Sequence, residues 1–180
     1  GSIVGMVGNE HAHEIPGVDG LVVSVKGVSI AVKIADCVPL LLADPKKRIV
    51  AAVHAGWRGT LENIAREAVQ RMVEVGASAQ DIVVSIGPHI GMCCYIVNKE
   101  RIDRFTTLFG EDSNMASYTE GAWHLDIGWV NYRQLTDAGV RQSHIDAPPV
   151  CTSCHSDIFY SYRKDSKESF GEILGVIALS

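Results

Sequence analysis

ADCVPLLLADPKKRIVAAVHAGWRG, residues 35–59, contains two apolar runs that flank a short polar segment. The runs, Val38–Ala43 and Arg48–His54, have the length and the composition of β-strands. Asp and Pro at the first two positions of Asp44–Lys47 are typical of a type I turn. The stretch therefore predicts an antiparallel β-hairpin.

The register of this hairpin would bring a cysteine and a histidine together. If Asp44 and Lys47 bracket the turn, Cys37 and His54 lie opposite each other, with Cβ atoms about 4.5–5.5 Å apart. That separation suits two ligands of one metal ion or a thiolate–imidazole pair. Pro39 is typical of an edge or a bulge, and a slip of one residue would place the two side chains on opposite faces. The alternative is a buried structural thiol and a strand-end histidine, which the spacing does not exclude.

A catalytic zinc ion needs a third protein ligand beside an open coordination position. His11 and His13 are the nearest candidates in the sequence. Either one could instead be an exposed loop residue, and spacing alone does not choose between them.

Composition narrows the class of protein. The chain has 180 residues, 47% hydrophobic and 21% charged, with a net charge of −5. This is the composition of one globular domain, and the negative charge argues against a nucleic-acid-coating role. No apolar run is long enough to span a membrane, and no export signal is recognisable. Five cysteines, two of them adjacent, argue against a disulfide framework, so we expect a cytoplasmic protein.

The rest of the sequence mixes strands and helices without a strict alternation. The pattern predicts an α+β fold, a single layered domain over residues 1–180 in which helices flank mixed β-sheets. The further predicted strands are Gly20–Lys26, Val28–Ala35, Asp81–Ile86, Ile158–Arg163 and Ile173–Leu179. The predicted helices are Thr60–Val75, Lys99–Phe109 and Asp126–Ala138.

The segment His54–Thr60 combines a strand end, a glycine-rich turn and a helix start. Backbone N–H groups and the helix dipole would point at the turn, and Arg58 would add a guanidinium fork for an anion. The alternative is an ordinary strand-to-helix turn with a solvated arginine.

Cys151-Thr-Ser-Cys154-His155 matches the attachment signature of c-type haem, which would require export. A zinc knuckle would need a second close pair, and Cys93-Cys94 lacks the C-x-x-C spacing. We therefore expect a loop that closes over the site with structural thiols. The following Tyr160–Arg163 would add an aromatic ring and a cation to a pocket, or form an edge strand.

Five motifs together resemble the laccase-domain family, also described as multicopper polyphenol oxidases, YfiH-like proteins or purine nucleoside phosphorylases. The motifs are Ala35–Pro39, Val53–Gly59, Ile86–Gly91 with Cys93–Tyr95, Asn131–Leu135 and Ser161–Asp165. The resemblance implies a layered fold with mixed sheets, similar to that of certain cysteine-dependent toxin deamidases. Two amino-terminal elements of the family are not found here, which indicates a chain that lacks part of the family's amino-terminal segment.

The resemblance also implies a zinc site formed by histidine, cysteine and histidine. The cysteine of the family corresponds to Cys37, and one histidine corresponds to His54. The other aligns with His11 rather than His13, although the residues around it depart from the family pattern.

The activity that the resemblance implies is phosphorolysis of adenosine, inosine, guanosine and methylthioadenosine to base and sugar 1-phosphate, with possible adenosine deamination. Purine nucleosides would be the partners and inorganic phosphate the co-substrate. We expect Arg58 to bind phosphate, Arg163 to bind substrate, and Asp36 to act as an acid or base beside the metal-bound Cys37.

Three other functions remain open from the sequence. A copper ion could occupy the same ligands and support polyphenol oxidation, although His11-Ala-His13 is the only H-x-H pair. A metal-free hydrolase would use Cys37 as nucleophile and His54 as base. A non-enzymatic metal-binding or haem-binding module would show no turnover.

Overall fold

The computed structural model describes residues 4–6, 15–148, 150–165 and 171–180. The strands are, in chain order, β1 Val4–Met6, β2 Gly20–Val23, β3 Ser29–Ile34, β4 Val38–Asp44, β5 Ile49–Ala55, β6 Val83–Ile86, β7 Ile96–Val97, β8 Ala116–Thr119, β9 Ala122–Leu125, β10 Ile145–Asp146 and β11 Ile173–Ala178. The α-helices are α1 Trp57–Leu61, α2 Ile64–Glu74, α3 Lys99–Phe109 and α4 Ile127–Asp137.

Within the described residues the strands form three sheets. The largest has six strands in the order β1-β2-β5-β4-β6-β10, with parallel pairs at its two edges and antiparallel pairs between them. A two-stranded sheet pairs β3 with β11, and a three-stranded sheet has the order β7-β9-β8. The predicted α+β class with mixed sheets is confirmed.

Strand β5 lies between two layers of the protein, and its sequence shows why. Alternate side chains, Ile49, Ala51 and Val53, join the large core that includes α2 and α4. The side chains between them, Val50 and Ala52, pack in a second core with residues of β3. Because both faces of the strand are covered, the run is apolar throughout rather than alternating.

The β4–β5 hairpin forms, but its register differs from the predicted one by two residues. Asp44 pairs with Ile49, so the loop has four residues and Pro39 lies opposite His54. The loop closes through Arg48, which has a left-handed backbone (φ 58°) and donates its N–H to the carbonyl of Asp44 at 2.8 Å. Because side chains alternate with a period of two, the shift leaves Cys37 on the same face as His54.

The predicted helix Thr60–Val75 is interrupted, and the interruption separates α1 from α2. Asn63 adopts a left-handed conformation at φ 60°. The side chain of Gln134 spans the break, because its Nε2 donates to the Thr60 carbonyl at 2.7 Å and its Oε1 accepts from the Ala65 N–H at 3.3 Å. Asn131 donates to the Thr60 hydroxyl at 2.9 Å.

No helix in the described part of the chain is long and apolar enough to cross a membrane.

The predicted strand Ile158–Arg163 is wrong, because the segment is a series of turns. Ile158 and Tyr160 are exposed, and no sheet edge pairs with them in the described residues. The segment is held instead by hydrogen bonds, of which the Arg163 N–H to the carboxylate of Asp36 is one at 2.8 Å. The alternating aromatic residues of this segment therefore belong to a loop and not to a strand.

Asp44 supplies a prediction about stability, because its buried carboxylate organises the hairpin loop. It accepts the N–H groups of Lys46, Lys47 and Ser78, each at 2.9 Å. We expect Asp44→Ala to lower the free energy of unfolding by about 2–3 kcal/mol, since three partly buried backbone N–H groups would lose their shared carboxylate acceptor. Urea denaturation monitored by circular dichroism measures the change.

Asp81→Ala is the matched control, because Asp81 makes an exposed ion pair with Lys46 at 2.8 Å. Its effect on the free energy of unfolding should be clearly smaller. Equal effects of the two substitutions would contradict the role given to Asp44.

Candidate active site

A cavity of about 610 Å³ opens where the β3–β4 junction, the β5–α1 turn and the segment 150–165 meet. Its walls include five residues that the sequence singled out: Asp36, Cys37, His54, Arg58 and Arg163. The structure therefore brings together side chains that are more than 120 positions apart in the sequence. The remaining candidates, His11 and His13, lie outside the described residues.

Cys37 and His54 converge on the backbone of Gly56. A Cβ atom at position 56 would lie 3.3 Å from the Cys37 Sγ and 3.8 Å from the His54 Nε2. The backbone of Gly56, at φ −75° and ψ 171°, is open to any residue, so glycine is needed here for space rather than for conformation. A sulfur and an imidazole nitrogen therefore approach the same backbone position, and both are donors that zinc accepts.

The carboxylate of Asp19 faces the imidazole of His54. Its Oδ1 lies 3.8 Å from the His54 Nδ1, and its carbonyl accepts the His54 backbone N–H at 2.7 Å. A carboxylate facing one ring nitrogen is the usual partner of a histidine whose other nitrogen binds a metal. Sequence reasoning missed Asp19, because only the pairing of β2 with β5 brings it to His54.

When no cation lies beside it, the Cys37 thiol is protonated at neutral pH. Burial, and after it the negative charge of Asp36, raises the pKa of Cys37 to about 11. A nucleophilic cysteine needs the opposite shift, toward a thiolate. The metal-free hydrolase is therefore disfavoured by the surroundings of its own nucleophile.

Asp36 is committed to hydrogen bonds on both carboxylate oxygens. Oδ1 accepts the Thr152 hydroxyl at 2.6 Å and Oδ2 accepts the Arg163 N–H at 2.8 Å. The side chain is buried, and the backbone is left-handed at φ 82°. These contacts favour a positioning role for Asp36, and its predicted role in proton transfer stays a prediction.

The cavity wall also carries three guanidinium groups, which lie against the rings of Trp57 and Tyr95. Arg58 and Arg101 lie 4.5 and 4.1 Å from the ring centroid of Trp57. Arg163 lies 5.1 Å from the ring of Tyr95, whose hydroxyl accepts a hydrogen bond from Arg101 at 3.2 Å. Such a wall suits a ligand that joins an anion to a flat apolar group.

Two features of this wall differ from the sequence prediction. Helix α1 is only five residues long, so arginine side chains rather than a helix dipole supply the positive charge of this wall. Arg101 was missed because it belongs to the amphipathic helix α3, where an arginine has no signal of its own. The contact with Trp57 exists only in the folded chain.

Four cysteines form a second group, named here the cysteine cluster: Cys93, Cys94, Cys151 and Cys154. Their Sγ atoms all lie within 4.8 Å of one another, so the cluster can hold a metal ion. Cys93-Cys94 lacks C-x-x-C spacing, but this adjacent pair still reaches the same point as the Cys151–Cys154 loop.

Comparison with known proteins agrees with these motifs and with the fold. A purine nucleoside phosphorylase named YlmD, from Geobacillus stearothermophilus, is 38% identical over 173 residues, which is 93% of this chain and 62% of that protein. The adenosine deaminase RL5, from an unknown prokaryotic organism, is 35% identical over 158 residues, or 87% of this chain and 60% of that protein. This chain thus spans about three fifths of the length of these two relatives.

The fold is similar to that of solved structures as well. The crystal structure of YlmD from Geobacillus stearothermophilus matches with a TM-score of 0.89 at 35% identity, covering 99% of this chain and 70% of that one. A family model described as multi-copper polyphenol oxidoreductase laccase matches residues 1–180. Since this match extends over the full sequence, and the fold agrees with it, the chain belongs to the multi-copper polyphenol oxidoreductase laccase family.

Proposed function

We propose that this chain catalyses zinc-dependent phosphorolysis of purine nucleosides, including adenosine, inosine, guanosine and methylthioadenosine, with adenosine deamination at the same site. The observation that carries the proposal is the convergence of Cys37 and His54 in a cavity that is also lined by three guanidinium groups. A volume of about 610 Å³ is in the range of small-molecule sites. Relatives named purine nucleoside phosphorylase and adenosine deaminase support the same chemistry.

Zinc fits the donors that the structure describes. Cys37 and His54, whose side chains converge beside Gly56, would hold the ion, and His11, outside the described residues, would be the third ligand. Bound zinc would supply Lewis-acid polarisation of a substrate atom, and for deamination a lowered pKa of water. Asp19 would keep the His54 Nε2 directed toward the ion.

The arginines would hold the anionic co-substrate. In phosphorolysis a phosphate oxygen forms a bond to C1′ while the bond from C1′ to the purine nitrogen breaks. The electron pair leaves with the base, which takes up a proton. Arg58 would bind the phosphate, and Arg163, stacked on Tyr95, would contact the nucleoside. Holding both reactants in one cavity lowers the entropic part of the barrier.

Copper-dependent polyphenol oxidation finds less support in the described residues. Multicopper oxidation needs several copper centres with many histidine ligands, and His54 is the only histidine that lines the cavity in the described part of the chain. Oxygen uptake with a phenolic substrate, measured on copper-loaded protein, tests this alternative, and we expect none above a copper-only control.

The central prediction concerns Arg58. Wild-type protein should release base from adenosine and inosine only when phosphate is present. Arg58→Ala should lower kcat/KM for phosphate about 10–100-fold, because hydrogen bonds to a charged group are worth about 1.5–3 kcal/mol. Chromatography of the free base, on protein of assayed zinc content, measures both effects.

Arg104→Ala provides the control, because Arg104 also faces Trp57, at 5.4 Å, without being among the residues that line the cavity. Its kinetics should match those of wild type. Base release that does not need phosphate would overturn phosphorolysis. An unchanged kcat/KM for phosphate in Arg58→Ala would overturn the role given to Arg58.

A second prediction separates Asp19 from a merely structural residue. Asp19→Asn preserves shape but removes the negative charge that faces the His54 Nδ1 at 3.8 Å. We expect the zinc concentration for half-maximal base release to rise about 10–100-fold. The rate at saturating zinc should stay close to wild type.

Asp103→Asn is the matched control, since Asp103 makes an exposed ion pair with Lys99 at 2.6 Å. Its zinc requirement should be unchanged. If Asp19→Asn lowers the rate at saturating zinc and leaves the zinc requirement as it is, the assignment of Asp19 to the histidine ligand is refuted.

A further inference from the structure

The cysteine cluster lies apart from the cavity and plays no part in the proposed reaction. All four cysteines are free thiols, with Cys151 buried, Cys94 half-buried, and Cys93 and Cys154 exposed. The chain's remaining cysteine, Cys37, lines the cavity instead. The role of these four thiols must therefore be sought in the cluster itself and not in the cavity.

Two of the sulfur separations are close to those around a single tetrahedral ion, and the others lie within 4.8 Å. The Sγ of Cys154 lies 3.6 Å from that of Cys93 and 3.5 Å from that of Cys94. Four sulfurs at about 2.3 Å from one zinc ion lie about 3.8 Å apart from one another by tetrahedral geometry. An iron–sulfur cluster would spread its cysteines wider, since several irons and sulfides lie between them.

The backbone holds the two cysteine-bearing segments together. His89 donates its N–H to the Val150 carbonyl at 3.2 Å, and its own carbonyl accepts the Thr152 N–H at 3.0 Å. On one side of this bridge a turn at Gly91 carries Cys93 and Cys94, and on the other side the chain runs into Cys151. The thiols are thus brought together by main-chain contacts that do not involve sulfur.

Gly91 adds two features of a thiolate site. Its N–H donates to the Cys151 Sγ at 3.3 Å, which favours a negatively charged sulfur. A Cβ at position 91 would lie 3.4 Å from the Cys93 Sγ and 3.4 Å from the Cys151 Cβ. The backbone of Gly91 therefore packs between the two cysteine-bearing segments.

We propose that Cys93, Cys94, Cys151 and Cys154 bind one zinc ion as four thiolates in a closed tetrahedral site. Binding releases the four thiol protons, and no oxidant is needed because zinc does not change its oxidation state. Four sulfur ligands select zinc over harder cations and leave no position for a substrate. The ion fastens the segment that carries Arg163 to the turn that carries Tyr95. These two side chains lie against each other in the cavity wall.

The test uses the whole chain and does not depend on any nucleoside activity. Zinc per chain is measured, and the protein is also loaded with cobalt(II), which gives intense visible absorption in tetrahedral thiolate sites. Cys154→Ser should lose about one zinc per chain and the cobalt–thiolate absorption. Cys37→Ser, the same exchange at the cysteine outside the cluster, should keep that absorption.

If Cys154→Ser does not fold, X-ray absorption spectroscopy of the wild-type zinc protein still tests the proposal. A sulfur shell at about 2.3 Å is expected, dominated by the four cluster thiolates. A shell of nitrogen and oxygen neighbours only would overturn the proposal. So would a mass two daltons below the reduced value in protein purified without reductant, since that mass shows a disulfide in place of the metal.

Discussion

The hydrogen bonds of buried Asp36, at the junction of β3 and β4, tie two other parts of the chain to one point. Its oxygens accept the Thr152 hydroxyl and the Arg163 N–H, and its backbone carbonyl accepts the N–H of Ile90. A left-handed backbone at φ 82° turns the chain so that Cys37 follows at the cavity wall. These bonds attach the segment 150–165 to the cavity wall, beside the main-chain bridge that His89 makes to Val150 and Thr152.

Polar side chains from α4 fix the other side of the cavity in a similar way. Gln134 satisfies backbone groups on both sides of the break between α1 and α2, and Asn131 holds the Thr60 hydroxyl. Because of the break, α1 is a short helix, and it carries Trp57 and Arg58 at the cavity wall. Buried polar groups of this kind are costly unless they are paired, so each amide also specifies one arrangement of the helices.

The chain thus places thiols in two different chemical settings. Cys37 lies partly buried in the cavity wall and close to the carboxylate of Asp36, and both factors raise its pKa. The cysteine cluster holds four sulfurs at one point, where a cation would remove the repulsion among the thiolates. One setting offers a ligand beside open space for a substrate, and the other offers a closed set of ligands between two loops.

The sequence by itself determined the α+β class, the β4–β5 hairpin and the grouping of Cys37 with His54, because alternation and turn residues act over short distances. A register error of two residues left that grouping intact, since faces repeat every two residues. Only the tertiary structure decided that Asp19 faces His54, that Arg101 reaches Trp57 and that Cys93 and Cys94 meet Cys151 and Cys154. These contacts join residues far apart in the chain, and spacing carries no signal for them because long-range packing is set by the sum of many weak interactions.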